Sequence, residues 1–179
     1  MIRGRTAMAG GLLAALLAAS TGCGGSAEPA APEVDAKQWA KVRPVVHEAL
    51  LAEAREEGEE GRWICEQRPL EIEKRDGGEL RVSLLSYCQQ YLRKGDGLVE
   101  QTGWMAPAKV RVAADGDGYR VRGVWHAGLG SDYTGWLDQE FSAGARAEVH
   151  RRAGSGWPDL AGQARKEFGL PADAEVAEN

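Results

Sequence analysis

Long apolar runs are almost missing from this chain. Beyond residue 19 no stretch approaches 18 uninterrupted apolar residues, about the length a bilayer-spanning helix needs, so nothing downstream predicts a membrane crossing. Cysteine is rare, three in 179 residues, and none has the CxxC spacing of a structural zinc site. Cationic residues are the minority: 22 Lys and Arg stand against 27 Asp and Glu, a formal charge of −5. That sign works against nucleic acid or anionic lipid as the main partner, since both repel it at long range. The familiar catalytic signatures fail as well. His47-Glu48-Ala49-Leu50-Leu51 opens like a zinc-peptidase helix, but Leu51 stands where the second imidazole must be. His47 is therefore expected to be a solvated helix residue. Asp115-Gly116-Asp117-Gly118 is followed by Tyr119, Val121 and Gly123, which cannot supply the oxygen ligands of a calcium loop, so a plain hairpin turn is expected. Ser131 and Ser155 lack the strand-turn-helix frame of a nucleophile elbow. There is no internal repeat, and neither a metal nor a cofactor is expected.

What the chain does have begins at its amino terminus. Arg3 and Arg5 precede an apolar run from Ala7 to Ala19, then Ser20-Thr21-Gly22-Cys23 and a spacer rich in Gly, Ser, Ala and Pro. This is the layout of a cleaved export signal, too short to span a bilayer stably. It resembles a bacterial lipoprotein signal of the Gram-positive and actinobacterial type, in which the cysteine after a small residue is acylated and becomes the first residue. It departs from that pattern at Ser20, where Leu, Val or Ile is usual. The resemblance implies a signal peptide over residues 1–22, lipidation of Cys23 with palmitate-type chains, and a place on the extracytoplasmic face of the cell membrane. An ordinary signal that releases a soluble secreted domain is the alternative. Removal of residues 1–22 takes only Arg3 and Arg5 among the charges, leaving 20 cationic side chains against 27 acidic ones, a formal −7.

In an oxidising compartment Cys65 and Cys88 then remain as an even pair. Asp76-Gly77 between them is a hairpin signal flanked by strand-like runs. A two-residue loop there pairs residues whose numbers sum to 153, which sets Cys65 opposite Cys88 within disulfide reach. An unbroken ladder makes this a hydrogen-bonded pair, a less comfortable site for a bridge, and a bulge or a Gly77-Gly78 turn would move the register. Two buried free thiols are the alternative.

Residues 23–34 read as a flexible tether, 35–171 as a single domain and 172–179 as a frayed tail. Asp35 and Gln38 form a possible capping box, and Trp39, Val42, Val46, Ala49 and Leu50 draw one apolar helical stripe with Pro44 inside it. Alternation then predicts strands through Ile64–Ile72, Leu80–Leu84, 99–114 and Tyr119–Trp125, with turns at Gly95-Asp96-Gly97 and Asp115–Gly118. Tyr119, Val121, Gly123 and Trp125 are expected on one face and Arg120 and Arg122 on the other. The last third is helical, capped by Thr134 or Ser142 and ended by Gly169-Leu170-Pro171. The sum is an α+β fold: an N-terminal helix packed on an antiparallel meander of at least four strands, with C-terminal helices. That order resembles the cystatin-like and nuclear-transport-factor-like cone folds. Asp117-Gly118-Tyr119-Arg120-Val121, Trp125, Gly130-Ser131-Asp132-Tyr133 and the helix through Glu140-Phe141 are similar to a small domain of Gram-positive surface proteins. That domain also occurs beside membrane zinc peptidases of the beta-lactam-receptor type. The resemblance spans residues 62–141 and implies a fold and a compartment, without an activity.

Two sets of side chains are candidates for function. His126, Asp132 and Tyr133, beside Trp125 and Trp136, would give an acid–base pair if they met in a pocket at the open end of the sheet. Lys109, Arg111, Arg120 and Arg122 would form a basic stripe able to hold an anionic ligand or wall polymer, or else a solvated face that discourages edge-to-edge association. Tryptophans at 39, 63, 104, 125, 136 and 157, one per element, are expected to be core anchors. The leading expectation is a lipid-anchored, non-catalytic domain that binds a protein, a cell-wall component or a small ligand. The alternatives are a small Asp/His enzyme and a regulatory partner of a membrane peptidase or sensor.

Overall fold

A computed structural model describes residues 29–30, 32–56, 61–128, 130, 132–153 and 158–178. The signal segment, Cys23, Ser131, Ser155 and Trp157 lie outside the described residues. Helix α1, Ala36–Glu56, starts where the sequence places it: Asp35 Oδ1 accepts from the backbone N–H groups of Lys37 and Gln38 at 2.9 and 3.0 Å. Pro44 lies inside it, exposed, without breaking it. Strands β1 (Arg62–Lys74), β2 (Leu80–Lys94), β3 (Gly97–Asp115) and β4 (Gly118–His126) follow as an antiparallel meander in that order. Helices α2 (Asp132–Glu140), α3 (Ala143–Arg152) and α4 (Leu160–Phe168) complete the α+β fold. Ser142 Oγ caps α3 by accepting from Ala145 N–H, and Gly169 closes α4 in a left-handed conformation at φ 65°. Within the tail expected to fray, residues 176–177 are ordered. Strand β5, Val176–Ala177, pairs in parallel with Leu98 and Val99, and Leu98 N–H donates to Glu175 O at 2.9 Å.

Both faces of the sheet are covered, each by a different set of helices. Val42, Val46 and Leu50 of α1 pack on Leu80, Val82, Leu84, Ala108, Val110 and Val112. On the reverse face Leu137, Phe141, Ala145, Val149, Leu160 and Ala164 from the C-terminal helices meet Ile64, Leu70, Leu85, Tyr87, Tyr91 and Leu98. Because side chains alternate across a strand, β2 divides its even-numbered residues from its odd ones between these two layers.

Cys65 and Cys88 are cross-strand partners and form a disulfide, with Cα atoms 4.2 Å apart. The route to that pairing differs from the expected one. The loop holds three residues, Asp76-Gly77-Gly78, with both glycines at positive φ, and Arg75 N–H donates to Glu79 O. This moves the register by one, and a bulge between Pro69 and Glu71 moves it back. The bulge also changes the phase of the ladder. The Cα separation is that of a narrow, non-hydrogen-bonded pair, about 4.5 Å, and not of the wide pair at about 5.5 Å.

A second bulge corrects the expected facing of β4. Arg111 pairs with Gly123 but Val112 pairs with Val121, so Arg122 is the extra residue. Tyr119, Val121 and Val124 accordingly pack with the α1 layer, while Gly123 and Trp125 share the reverse face with Arg111 and Lys109. The expected set of Tyr119, Val121, Gly123 and Trp125 is thus split between the two faces.

Candidate functional site

The C-terminal helices do not cover all of the reverse face. Beyond α2 a corner of β2, β3 and β4 is left open, where two ladder rows lie side by side. One row reads Glu73, Arg81, Arg111, Gly123; the other reads Glu71, Ser83, Lys109, Trp125. A cleft of about 170 Å³ opens over them, lined by Arg81, Lys109, Arg111 and Trp125 from the sheet and by Trp136 and Glu140 from α2.

Each wall has a local cause. Gly123 carries no side chain, so the Trp125 indole folds back over it; a Cβ there would lie 2.6 Å from Cη2 of the ring. The Arg111 guanidinium sits 5.4 Å from the same ring's centroid, a cation–π arrangement. Trp125 is 46% exposed and is the one large exposed hydrophobic residue among those described. It is not a core anchor. Trp63 is buried, and Trp39, Trp104 and Trp136 are half-buried. Trp136, which lines the cleft from α2, leans on Phe141 at 5.4 Å between centroids.

Lys109 forms the floor and is 6% exposed, which overturns its expected place in a solvated stripe. Its ammonium lies 3.4 Å from Glu140 Oε2 and 3.9 Å from Glu73 Oε1, donates to the Glu140 carbonyl oxygen, and stands 5.9 Å from the Phe141 ring centroid. A buried cation needs such partners to offset its desolvation. These contacts also tie the carboxyl end of α2 to the sheet. Arg111 is held by Glu79, whose Oε2 lies 3.5 Å from Nε, yet that buried nitrogen makes no hydrogen bond. Arg81 differs. Half-buried and directly opposite Arg111, it has no hydrogen-bond or ion-pair partner among the described residues. Arg120 and Arg122 are exposed on β4 and do not line the cleft.

The Asp/His pair falls in different surroundings. His126 belongs to the α1 side, where Nε2 is 2.8 Å from Glu53 Oε2 and the ring stands edge-on to Trp104 at 5.7 Å. Asp132 is exposed in the first turn of α2, and burial raises the pKa of the neighbouring Tyr133 phenol. His47 is not simply solvated either: it is half-buried, and Nδ1 donates to Gln67 Oε1 at 3.0 Å.

Of the residues singled out in the sequence, the fold thus brings Arg111, Trp125, Trp136 and Lys109 together. Arg81, Glu140 and Gly123 were not foreseen. No described cluster of three or more His, Cys, Asp or Glu could hold a metal ion, and no described helix is long and apolar enough to cross a membrane. Neither a known family, a curated protein nor a solved structure matches this chain.

Proposed function

We propose that this protein is a lipid-anchored, extracytoplasmic domain whose role is to bind, and that the cleft between Trp125 and Trp136 is where it does so. The observation that carries this reading is the exposed Trp125, held flat by Gly123 and Arg111 beside an unpaired guanidinium. An aromatic wall and a free cation on a rigid sheet are the elements of a recognition site, apolar area with a few convergent polar groups. The acid in the cleft, Glu140, is committed to Lys109. Support for the anchor lies in the cationic, apolar and small-residue order that ends at Cys23, together with a disulfide suited to an oxidising compartment. Anchorage through Cys23 would keep the cleft within a tether's length of the membrane and raise its effective concentration for partners there.

Two measurements test the two parts. Cys23→Ala should shift the protein from the membrane fraction to the soluble one with the same unfolding midpoint, and continued membrane retention would refute the anchor. Adding solubilised envelope material of the native cell to the full chain should move the indole N–H resonances of Trp125 and Trp136 and leave that of Trp63 in place. No change, or an equal change at all three, would refute the site.

A further inference from the structure

We infer that the ligand of this cleft is a single carboxylate carried on a six-membered ring; the inference rests on the binding role proposed above and names its chemistry. The charge balance points to one negative charge. The Lys109 ammonium is already met by Glu140, Glu73 is shared between Lys109 and the Arg75 guanidinium, and Arg111 is met by Glu79, so three acids serve three cations. Arg81 is left over: its neighbour on β1, Glu73, is engaged by Arg75 and Lys109 and makes no ion pair with it, and on β3 it faces Arg111, where like charges repel. One anion seated between the two guanidinium groups removes that repulsion and gives Arg81 a partner. It would also offer an acceptor to Arg111 Nε, which is buried and makes no hydrogen bond. A dianion would overcompensate a corner whose other cations are neutralised. A carboxylate is planar and matches the guanidinium fork through two parallel hydrogen bonds.

The walls select what carries the charge. Trp125 and Trp136 both line the cleft, and a six-membered ring with a broad apolar face, aromatic or pyranose, uses indole surfaces better than a branched or linear chain. Size sets the limit. At about 170 Å³ the cleft is smaller than the roughly 300–1,000 Å³ of sites that engulf whole drug-sized ligands, so it takes one ring with its acid group. Both an aromatic acid and a sugar acid satisfy these terms, and they are told apart by titration.

Four probes are titrated against the full chain while the indole N–H resonances are followed: benzoate, benzamide, glucuronate and glucose. At least one of the two acids should bind at millimolar concentration or tighter, moving Trp125 and Trp136, and at least tenfold more tightly than its uncharged counterpart. Benzoate alone identifies an aromatic acid, and glucuronate alone a sugar acid. Binding of neither acid, or of acid and neutral counterpart within twofold, overturns the inference. Arg81→Gln should weaken the bound acid at least tenfold with an unchanged unfolding midpoint, and undiminished affinity would also overturn it. The comparison of charged and neutral probes needs no variant, so a misfolded Arg81→Gln chain leaves the test intact. If envelope material moves the two indoles and the acids do not, the ligand class is wrong and the binding site stands; if neither does, both readings fall.

Discussion

The Trp125 indole rests on the bare backbone of Gly123, its neighbour two residues back on the same face of β4. Because the atoms that a Cβ at 123 would strike are the far end of an exposed side chain, the ring can move aside at small cost. Gly123→Ala should therefore change stability by less than about 0.5 kcal/mol, as surface substitutions usually do. It should nevertheless displace the indole from Arg111 and raise its exposure. A red shift of the Trp125 emission, isolated by comparing Gly123→Ala with Gly123→Ala/Trp125→Phe, is the expected result. An unmoved indole would mean that glycine is not what seats it.

The floor of the cleft makes a different prediction. Lys109 donates to the last carbonyl of α2 and lies beside two carboxylates that are themselves about one-third exposed, 34% for Glu73 and 37% for Glu140. Lys109→Met leaves those acids to water, so no buried charge is orphaned, but it cuts the tie between helix and sheet. Hydrogen bonds to charged groups contribute about 1.5–3 kcal/mol, and a loss in that range is expected in urea unfolding. Glu140→Gln should cost less, because the carbonyl and Glu73 remain. Equal losses would show that the side-chain ion pair, and not the tie to the backbone, matters.

The disulfide closes a loop of 23 residues of sequence separation and is buried with Leu51, Ala54 and Trp63 under α1. Chain-entropy arguments assign such a loop about 3 kcal/mol through restriction of the unfolded chain. Cys65→Ala/Cys88→Ala should lower stability by roughly that amount. Reductant added to the native protein should match the double variant. A midpoint insensitive to both would argue that the bridge does not restrict the unfolded chain.

That this pair was legible in the sequence is partly a cancellation. The Asp76 turn is one residue longer than expected, and the bulge beside Leu70 restores the lost step. Periodicity, caps and turn glycines mark elements well, because each acts through its own few residues: Asp35 at α1, Ser142 at α3 and Gly169 after α4 all sit where their chemistry requires. A bulge leaves no such mark. The run from Tyr119 to Trp125 alternates cleanly, yet Arg122 is skipped and every residue after it changes face. The same reason hid Arg81. Counted from the Gly95-Asp96 turn alone it would face Val110, whereas the irregularity between Gln89 and Tyr91 brings it opposite Arg111. Strands of 13, 15 and 19 residues give such slips room to accumulate. The short β5 pairing is set by tertiary contact with Leu98, which composition near the C-terminus does not announce.

Tyr91 supplies a pH-dependent prediction. It is 2% exposed, and its hydroxyl donates to Glu100 Oε1 at 3.1 Å. Burial first, then the Glu100 charge and that hydrogen bond, push its pKa well above the ordinary phenol value of 10.0. The folded state thus favours the neutral phenol more than the unfolded chain does. Its contribution is fully present below about pH 10, and it is lost as the pH rises past that value toward the higher folded one, because the unfolded chain releases the proton first. Tyr91→Phe cannot ionise. At pH 8 the variant should be less stable by about 1 kcal/mol, the net worth of one hydrogen bond. Between pH 9.5 and 11.5 the deficit should shrink, since only the parent loses the phenol's contribution. Tyr87 and Tyr133, whose pKa values burial also raises, destabilise both proteins alike over this range and drop out of the difference. Urea midpoints that run parallel for the two proteins up to pH 11.5 would show that the Tyr91 phenol is no more reluctant to ionise in the folded chain than in the unfolded one.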